Sequence, residues 1–335
     1  MTSTASRPLS LLDLARVREH ESIAQGIGRS LRLAQTADAL GYRRIWFAEH
    51  HNMPAVASSA TALLIQHIAA GTQNVRVGAG GIMLPNHSPL IIAEQFGTLE
   101  TLFPGRIDLG LGRAPGTDGV TTRALRRDGT EADRFPEDIM ELSGYLTGHT
   151  RIPGVHAYPG RSTRVPLYIL GSSLYGAQLA AQLGVPYAFA SHFAPQMLEQ
   201  AAHTYRENFQ STGSLQGPDA RPHFIAAANV IAHDDAAIAA GQRREAEDGW
   251  IRTMLGRNKT LSTEDVTQLR DHPAGQQVLG MLSKTVAGTQ DEVVSWLDTF
   301  ADQVSADELI LVNLAPDEDV QHRTLELLAP EPGGA

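Results

Sequence analysis

The sequence predicts a (β/α)8 barrel built as a single domain over residues 1–335, and three observations carry that prediction. Short apolar runs of strand character recur eight times. Each is followed by a stretch with helical apolar spacing. The length also fits, because such barrels take roughly 250 residues plus insertions. Strict strand–helix alternation implies a parallel sheet, and eight units suggest a closed one; an open doubly wound sheet is the alternative. No internal repeat or low-complexity linker divides the chain.

The first strand is Leu9 to Leu14, followed by a charged loop (Arg16, Arg18, Glu19, His20, Glu21). Leu31, Ala34, Ala37 and Leu40 recur at helical spacing, and Gly41 is placed to end that helix. The second strand, from Arg43 through Ile45-Trp46-Phe47, mixes β-branched and aromatic residues and runs into Glu49-His50-His51 before Pro54. Ser58 and Ser59 can cap a helix to Ala70. Val75 to Pro85 is a third strand whose glycines mark a bulge or a close approach by ligand or backbone. Pro89 opens a helix to Leu102. Phe103-Pro104-Gly105 turns into strand four, Arg106 to Arg113, and a Pro/Gly loop follows at Ala114 to Gly119. Residues 120–133 are charged and weakly patterned, so they read as a loop with a partial helix. A helix over Phe135 to Leu146 and a Pro/Gly-rich connection lead to strand five, Leu167 to Leu170, which ends in Gly171-Ser172-Ser173. An alanine-rich helix (Leu174 to Leu183) precedes strand six, Tyr187 to Ala190, with Ser191-His192-Phe193 at its end. Pro195 opens the sixth helix, and strand seven is Phe224 to Ala232. After a helix at Ala236 to Asp248, an insertion at about 249–283 reads as a mobile lid. Thr289 caps the next helix, strand eight is Leu309 to Leu314, and a Pro/Gly tail follows a short terminal helix.

Composition narrows the function. A net charge of −10, from 27 basic against 37 acidic residues, argues against a nucleic-acid or anionic-membrane surface. The absence of cysteine excludes disulfides, thiolate nucleophiles and cysteine metal sites. Met1 to Pro8 lacks the apolar core of a signal peptide, and no stretch approaches the ~18 apolar residues of a spanning helix. The expectation is a soluble cytoplasmic protein that meets neither nucleic acid nor membrane.

In a barrel the strands' C-terminal ends build the active site. Those ends offer Glu49, His50 and His51; Gly80, Gly81 and Met83; Arg113; Ser172 and Ser173; and His192. Gly171-Ser172-Ser173 precedes a helix whose free N–H groups and dipole attract an anion. Arg113 can add a bidentate partner. Taken alone, the serines read equally well as helix caps and Arg113 as a surface salt bridge. Gly110 to Gly116 approaches a dinucleotide fingerprint, but its third glycine falls one place late and Pro115 intrudes. Glu49, His50 and His51 also admit a metal-dependent hydrolase, although neighbouring residues on a strand face opposite ways.

These residues carry a resemblance. Phe47-Ala48-Glu49-His50-His51, Gly78 to Pro85, Pro104 to Arg113, and Gly171-Ser172-Ser173 with the helix ending Leu183-Gly184-Val185-Pro186 together resemble the bacterial luciferase-like monooxygenases of the alkanal monooxygenase type. The likeness runs from about Leu9 to Leu314. It implies the (β/α)8 fold, His50 as catalytic residue, and Arg113, Ser172, Ser173 and the Gly176 amide as a flavin phosphate site. It also implies a cis peptide at Gly80–Gly81 against which the flavin ring rests. Glu49, His51, Met83 and His192 are then expected around the substrate, with no metal. Glu100 stands where the family pattern suggests aspartate, and the loop after strand seven departs from luciferase in sequence, so light emission does not follow.

The implied activity is oxidation of a small organic substrate by O2 with reduced FMN. No NAD-binding fingerprint is visible, so a separate flavin reductase is the expected partner. Homodimer formation through the helices Ser58 to Ala70 and Pro89 to Leu102 is expected as well. A non-catalytic flavin-binding protein and an F420-dependent oxidoreductase of the same fold are the alternatives within the resemblance.

Overall fold

The computed structural model describes residues 7–114, 116–128, 130–256 and 260–330. Most of the polar N-terminus, Pro115 of the glycine-rich run and the end of the Pro/Gly tail lie outside the described residues. The elements are β1 (Leu9–Asp13), α1 (Ile23–Ala39), β2 (Arg44–Phe47), α2 (Thr61–Ala70), β3 (Arg76–Met83), α3 (Pro89–Leu102), β4 (Ile107–Gly112), α4 (Gly119–Ala124), α5 (Phe135–Thr147), β5 (Leu167–Gly171) and α6 (Leu174–Leu183). There follow β6 (Tyr187–Phe189), α7 (Leu198–Asn208), β7 (Phe224–Ala232), α8 (Ala236–Gly256), α9 (Thr263–Asp271), α10 (Pro273–Met281), β8 (Thr285–Gly288), α11 (Gln290–Gln303), β9 (Glu308–Asn313) and α12 (Glu318–Leu327).

All strand pairs within the sheet are parallel, and the ring runs β1 to β7 in order, then β9, and back to β1. This is a closed eight-stranded barrel with one strand more than the sequence suggested. β7 pairs with β9 along Ile225 to Val230; its other edge meets β6 at Phe224 to Ala226 and then β8 at Asn229 to Ala232. Thr285 to Gly288 carries only one large apolar side chain, Val286, so its sequence does not stand out from the preceding insertion. The eighth predicted strand is therefore β9.

Alternation sorts side chains into two layers. Leu9, Leu11, Ile45, Phe47, Ile169, Leu309 and Leu311 pack outward in the layer shared with the helices. Leu12, Trp46, Tyr168, Ile310 and Val312 belong to a second cluster that fills the barrel. At the N-terminal end of the strands the fill is polar. Arg44 donates to Asp108 at 2.7 Å, to Tyr168 Oη at 2.7 Å and to Glu308 at 3.1 Å. Arg76 reaches the second Asp108 oxygen at 2.5 Å, Trp46 Nε1 donates to Asp108 at 3.1 Å, and Ser10 donates to Glu308 at 2.5 Å. Two guanidinium groups thus face two buried carboxylates. Burial alone would raise Glu308; the charge of Arg44 and the hydrogen bonds from His223 and Ser10 outweigh it and bring its pKa to about 2. Removing one member of such a set strands its partner, at about 3–5 kcal/mol. The network therefore fixes the floor of the barrel and leaves the opposite end for chemistry.

Elsewhere local chemistry sets the element ends. α1 starts earlier than its apolar spacing shows, because Ser22 and Gln25 form a capping box. Part of the segment after Gly119 is helical, with Asp118 capping α4. The stretch at 249–283 comprises the end of α8, then α9 and α10. Ile251, Val266 and Val278 give it a small core of its own, and Arg270 ties α9 to Asp248 at 2.9 Å and also to Glu247. Among the described residues no helix is long and apolar enough to cross a membrane.

Candidate active site

β2 ends at Phe47, and alternation beyond it sends Glu49 and His51 one way and His50 the other. Glu49 is buried. Its carboxylate contacts His51 Nε2 at 2.7 Å and His87 Nε2 at 2.9 and 3.0 Å, and accepts the Met83 N–H at 3.1 Å and Asn86 Nδ2 at 3.4 Å. Burial by itself would raise the Glu49 pKa. The bonds to His51 and His87, the charge of His87 and the Met83 amide reverse that and hold it at about 2. In return the bond to Glu49 raises His51. The sequence reading missed His87, which lies 36 positions beyond His51 in the chain. The one signal for it is the Pro85-Asn86-His87-Ser88 turn that follows β3.

The three donors Glu49, His51 and His87 stand close enough to hold a metal, with ligand atoms all within 4.8 Å. The same atoms hydrogen-bond one another, and the Met83 N–H and Asn86 Nδ2 add to the carboxylate's partners. His50 is absent from it. Half-buried, His50 has its pKa lowered by burial, against the opposing pull of the Gly116 backbone and Glu49. His192, at the end of β6, is lowered to about 3 by burial and by the charges of Arg16 and His50. Its Nδ1 is buried with no hydrogen-bond partner among the described residues.

Met83 is half-buried, and its Sδ would stand 2.8 Å from a Cβ on Gly112. The glycines of β3 have a packing role. A Cβ on Gly80 would lie 2.9 Å from Leu12 and Trp46 in the barrel fill, and one on Gly81 would lie 2.7 Å from the Gly110 carbonyl. The Gly80–Gly81 peptide is cis, and the β3–β4 register shifts between Ala79 and Ile82 at the same place.

On the neighbouring strands Arg113 and Ser173 are exposed beside the start of α6. Ser173 occupies the N-cap position, yet its hydroxyl makes no capping bond to the helix. The reading of Ser173 as an ordinary helix cap therefore does not hold. Arg113 stacks over the Tyr175 ring, 4.3 Å from its centroid, and meets no carboxylate at ion-pair distance among the described residues. Gly176 is buried where a Cβ would stand 3.0 Å from Tyr187 Oη. The donors at this corner are a guanidinium, two serines and the amides of a ten-residue helix, a set that fits a phosphate.

A closed parallel barrel with histidines at its mouth and a guanidinium, serines and free helix amides after β4 and β5 defines a class of TIM-barrel proteins, which bind their ligands at the strands' C-terminal ends. The family described as luciferase-like monooxygenase matches residues 8–307. A protein of Escherichia coli (strain K12) called luciferase-like monooxygenase is 43% identical over 321 residues, 95% of each chain. The solved structure of apo-MsnO8 is 33% identical, covers 96% of this chain and 97% of its own, and superposes with a TM-score of 0.84. The chain belongs to the luciferase-like monooxygenase family. An F420-dependent secondary alcohol dehydrogenase shares the fold at 15% identity, covering 97% of this chain and 99% of its own, with a TM-score of 0.70.

Proposed function

We propose that the protein is a flavin-dependent monooxygenase that takes reduced FMN and O2 and oxidises a small organic substrate at the barrel mouth. The observation that carries this reading is the uncommitted donor set of Arg113, Ser173 and the start of α6. Reduced FMN supplies two electrons, so that one oxygen atom of O2 enters the substrate and the other leaves as water. Arg113, Ser172, Ser173 and the Gly176 end of α6 would hold its phosphate, and the β3 wall at Gly80–Gly81 would border the ring. His50 moves a proton at an imidazole nitrogen that burial keeps neutral near pH 7. Glu49 takes no part in proton transfer; it fixes His51 and His87. The barrel excludes bulk water from the reacting centre.

The chain carries no visible nicotinamide fingerprint, so a separate reductase delivers the reduced flavin. A homodimer is the proposed assembly, and 249–283 the proposed cover over the mouth. F420 is the second reading, favoured by the fold shared with an F420-dependent dehydrogenase. Titrating the apoprotein with FMN, reduced FMN and F420 separates the two. Tighter binding of reduced FMN, and O2 consumption only in its presence, is the expected result. Exclusive binding of F420 would replace the cofactor, and FMN binding without O2 consumption would make the protein a flavin carrier.

A further inference from the structure

We infer that Arg16 anchors a carboxylate on the organic substrate, on the side of the mouth opposite the phosphate corner. Arg16 follows β1, whose ring neighbours are β2 and β9, whereas Arg113 closes β4 three strands away. Its backbone is fixed: the carbonyl accepts Arg29 Nη2 at 2.5 Å, and the residue bridges to Val56. Its side chain is solvent-accessible, yet protein surrounds it closely enough for burial to lower its pKa, as in a cleft.

Among the described residues no acid pairs with the Arg16 guanidinium. Asp13 is the carboxylate that acts on it, from beyond ion-pair distance, and Asp13 already accepts the Ala15 N–H at 2.8 Å. Arg29 beside it is itself paired with Glu21 at 3.1 Å. The other groups that sense Arg16 are the imidazoles of His50 and His192. Glu49, after the neighbouring β2, is consumed by His51 and His87. An acidic protein thus keeps an unmatched cation just beyond the C-terminal end of β1, and the buried Nδ1 of His192, beyond the end of β6, also lacks a partner among the described residues. A carboxylate answers both, taking a bidentate bond from the guanidinium. A substrate carrying one would be held with its oxidisable part toward His50.

This inference rests on the flavoenzyme reading, and its test keeps the two apart. Octanoate and octanamide serve as probes in calorimetric titrations of the purified chain, each with and without FMN, for wild type, Arg16→Gln and Arg16→Lys. Octanoate should bind wild type more tightly than octanamide and lose about tenfold or more in Arg16→Gln, the cost of a charge-assisted bond. Arg16→Lys should recover part of the loss, and FMN affinity should not change. Equal octanoate affinity in wild type and Arg16→Gln overturns the anchor, as does a loss of FMN binding in Arg16→Gln, which would give Arg16 to the flavin. Arg16-dependent octanoate binding in a chain that binds no FMN would leave the anchor standing and remove the flavin reading.

Discussion

His87 Nε2 lies 2.9 and 3.0 Å from the two carboxylate oxygens of Glu49, so one imidazole spans a buried acid that a second, His51, also contacts. The loop after β2 is thereby fastened to the loop after β3, and His50 projects from a braced segment. A proton-transfer group gains from that arrangement, because a small misplacement of a reacting group costs rate steeply.

Glu49→Gln tests the brace. Glu49 is depressed from 4.5 to about 2, so its contribution to stability is complete above pH 4.5 and fades as pH falls toward 2. His51 is raised above 6.5, so its contribution is complete below pH 6.5 and fades as pH rises through its folded value. Both act fully between about pH 4.5 and 6.5. The variant should lose about 1–3 kcal/mol there, the range for stranding a buried hydrogen-bonding group, and the His51 titration should move down. Thermal melts across this window with an NMR titration of His51 measure both. An unmoved His51 titration would refute the coupling.

Arg113→Ala should weaken FMN by about 1.5–3 kcal/mol, at least tenfold in dissociation constant. Ser173→Ala should cost less, since the α6 amides remain. Equilibrium titration by flavin fluorescence reads both. An unchanged constant for oxidised and reduced FMN would put the phosphate elsewhere.

The proposed dimer makes a claim about surface. Leu63 on α2 is 73% exposed, and Ile91 and Leu102 on α3 are 47% and 57% exposed, while the core-facing stripes of these helices are buried. These three are more apolar side chains than barrel packing uses, and partner burial would explain them. Leu63→Glu should convert a dimer to monomer in sedimentation velocity at micromolar concentration without changing the fold. A wild-type monomer under the same conditions would dismiss the interface.

Much of this was legible in the sequence because barrel strands are short, apolar and regularly spaced, and because the residues that end them are read in register. Arg113, Ser173 and His50 were placed at the strand ends that way. What escaped depends on distant parts of the chain. Arg44 looks like a polar start to β2, and only closure of the ring sets it between Asp108 and Glu308. His87 meets Glu49 only once β2 and β3 are paired. Arg16 sits in a loop of mixed charge, and its lack of a partner shows only when Asp13, Arg29 and Glu49 are seen to be occupied by others. β8 stayed hidden because Thr285-Val286-Ala287-Gly288 carries a single large apolar side chain, unlike the equally short β2.

His50 carries the strongest functional prediction. It is half-buried, stands outside the Glu49 network, and has its pKa lowered below 6.5 by burial, so the imidazole is neutral at pH 7 and able to accept a proton. Turnover should hold from neutral pH downward past 6.5 and fall only as the medium approaches the lowered folded value and the base becomes protonated. His50→Ala should reduce turnover by ~10²–10⁴, the usual contribution of a positioned acid–base group, and leave FMN affinity near wild type, because the proposed phosphate donors follow β4 and β5 and open α6. His51 is the control. Its replacement removes a bond to a buried carboxylate, so it should lower the melting temperature more than it lowers turnover. Rate profiles between pH 5 and 9 for wild type and both variants measure this. Wild-type turnover in His50→Ala, with the acid limb intact, would transfer the proton to another group and leave His50 a lining residue.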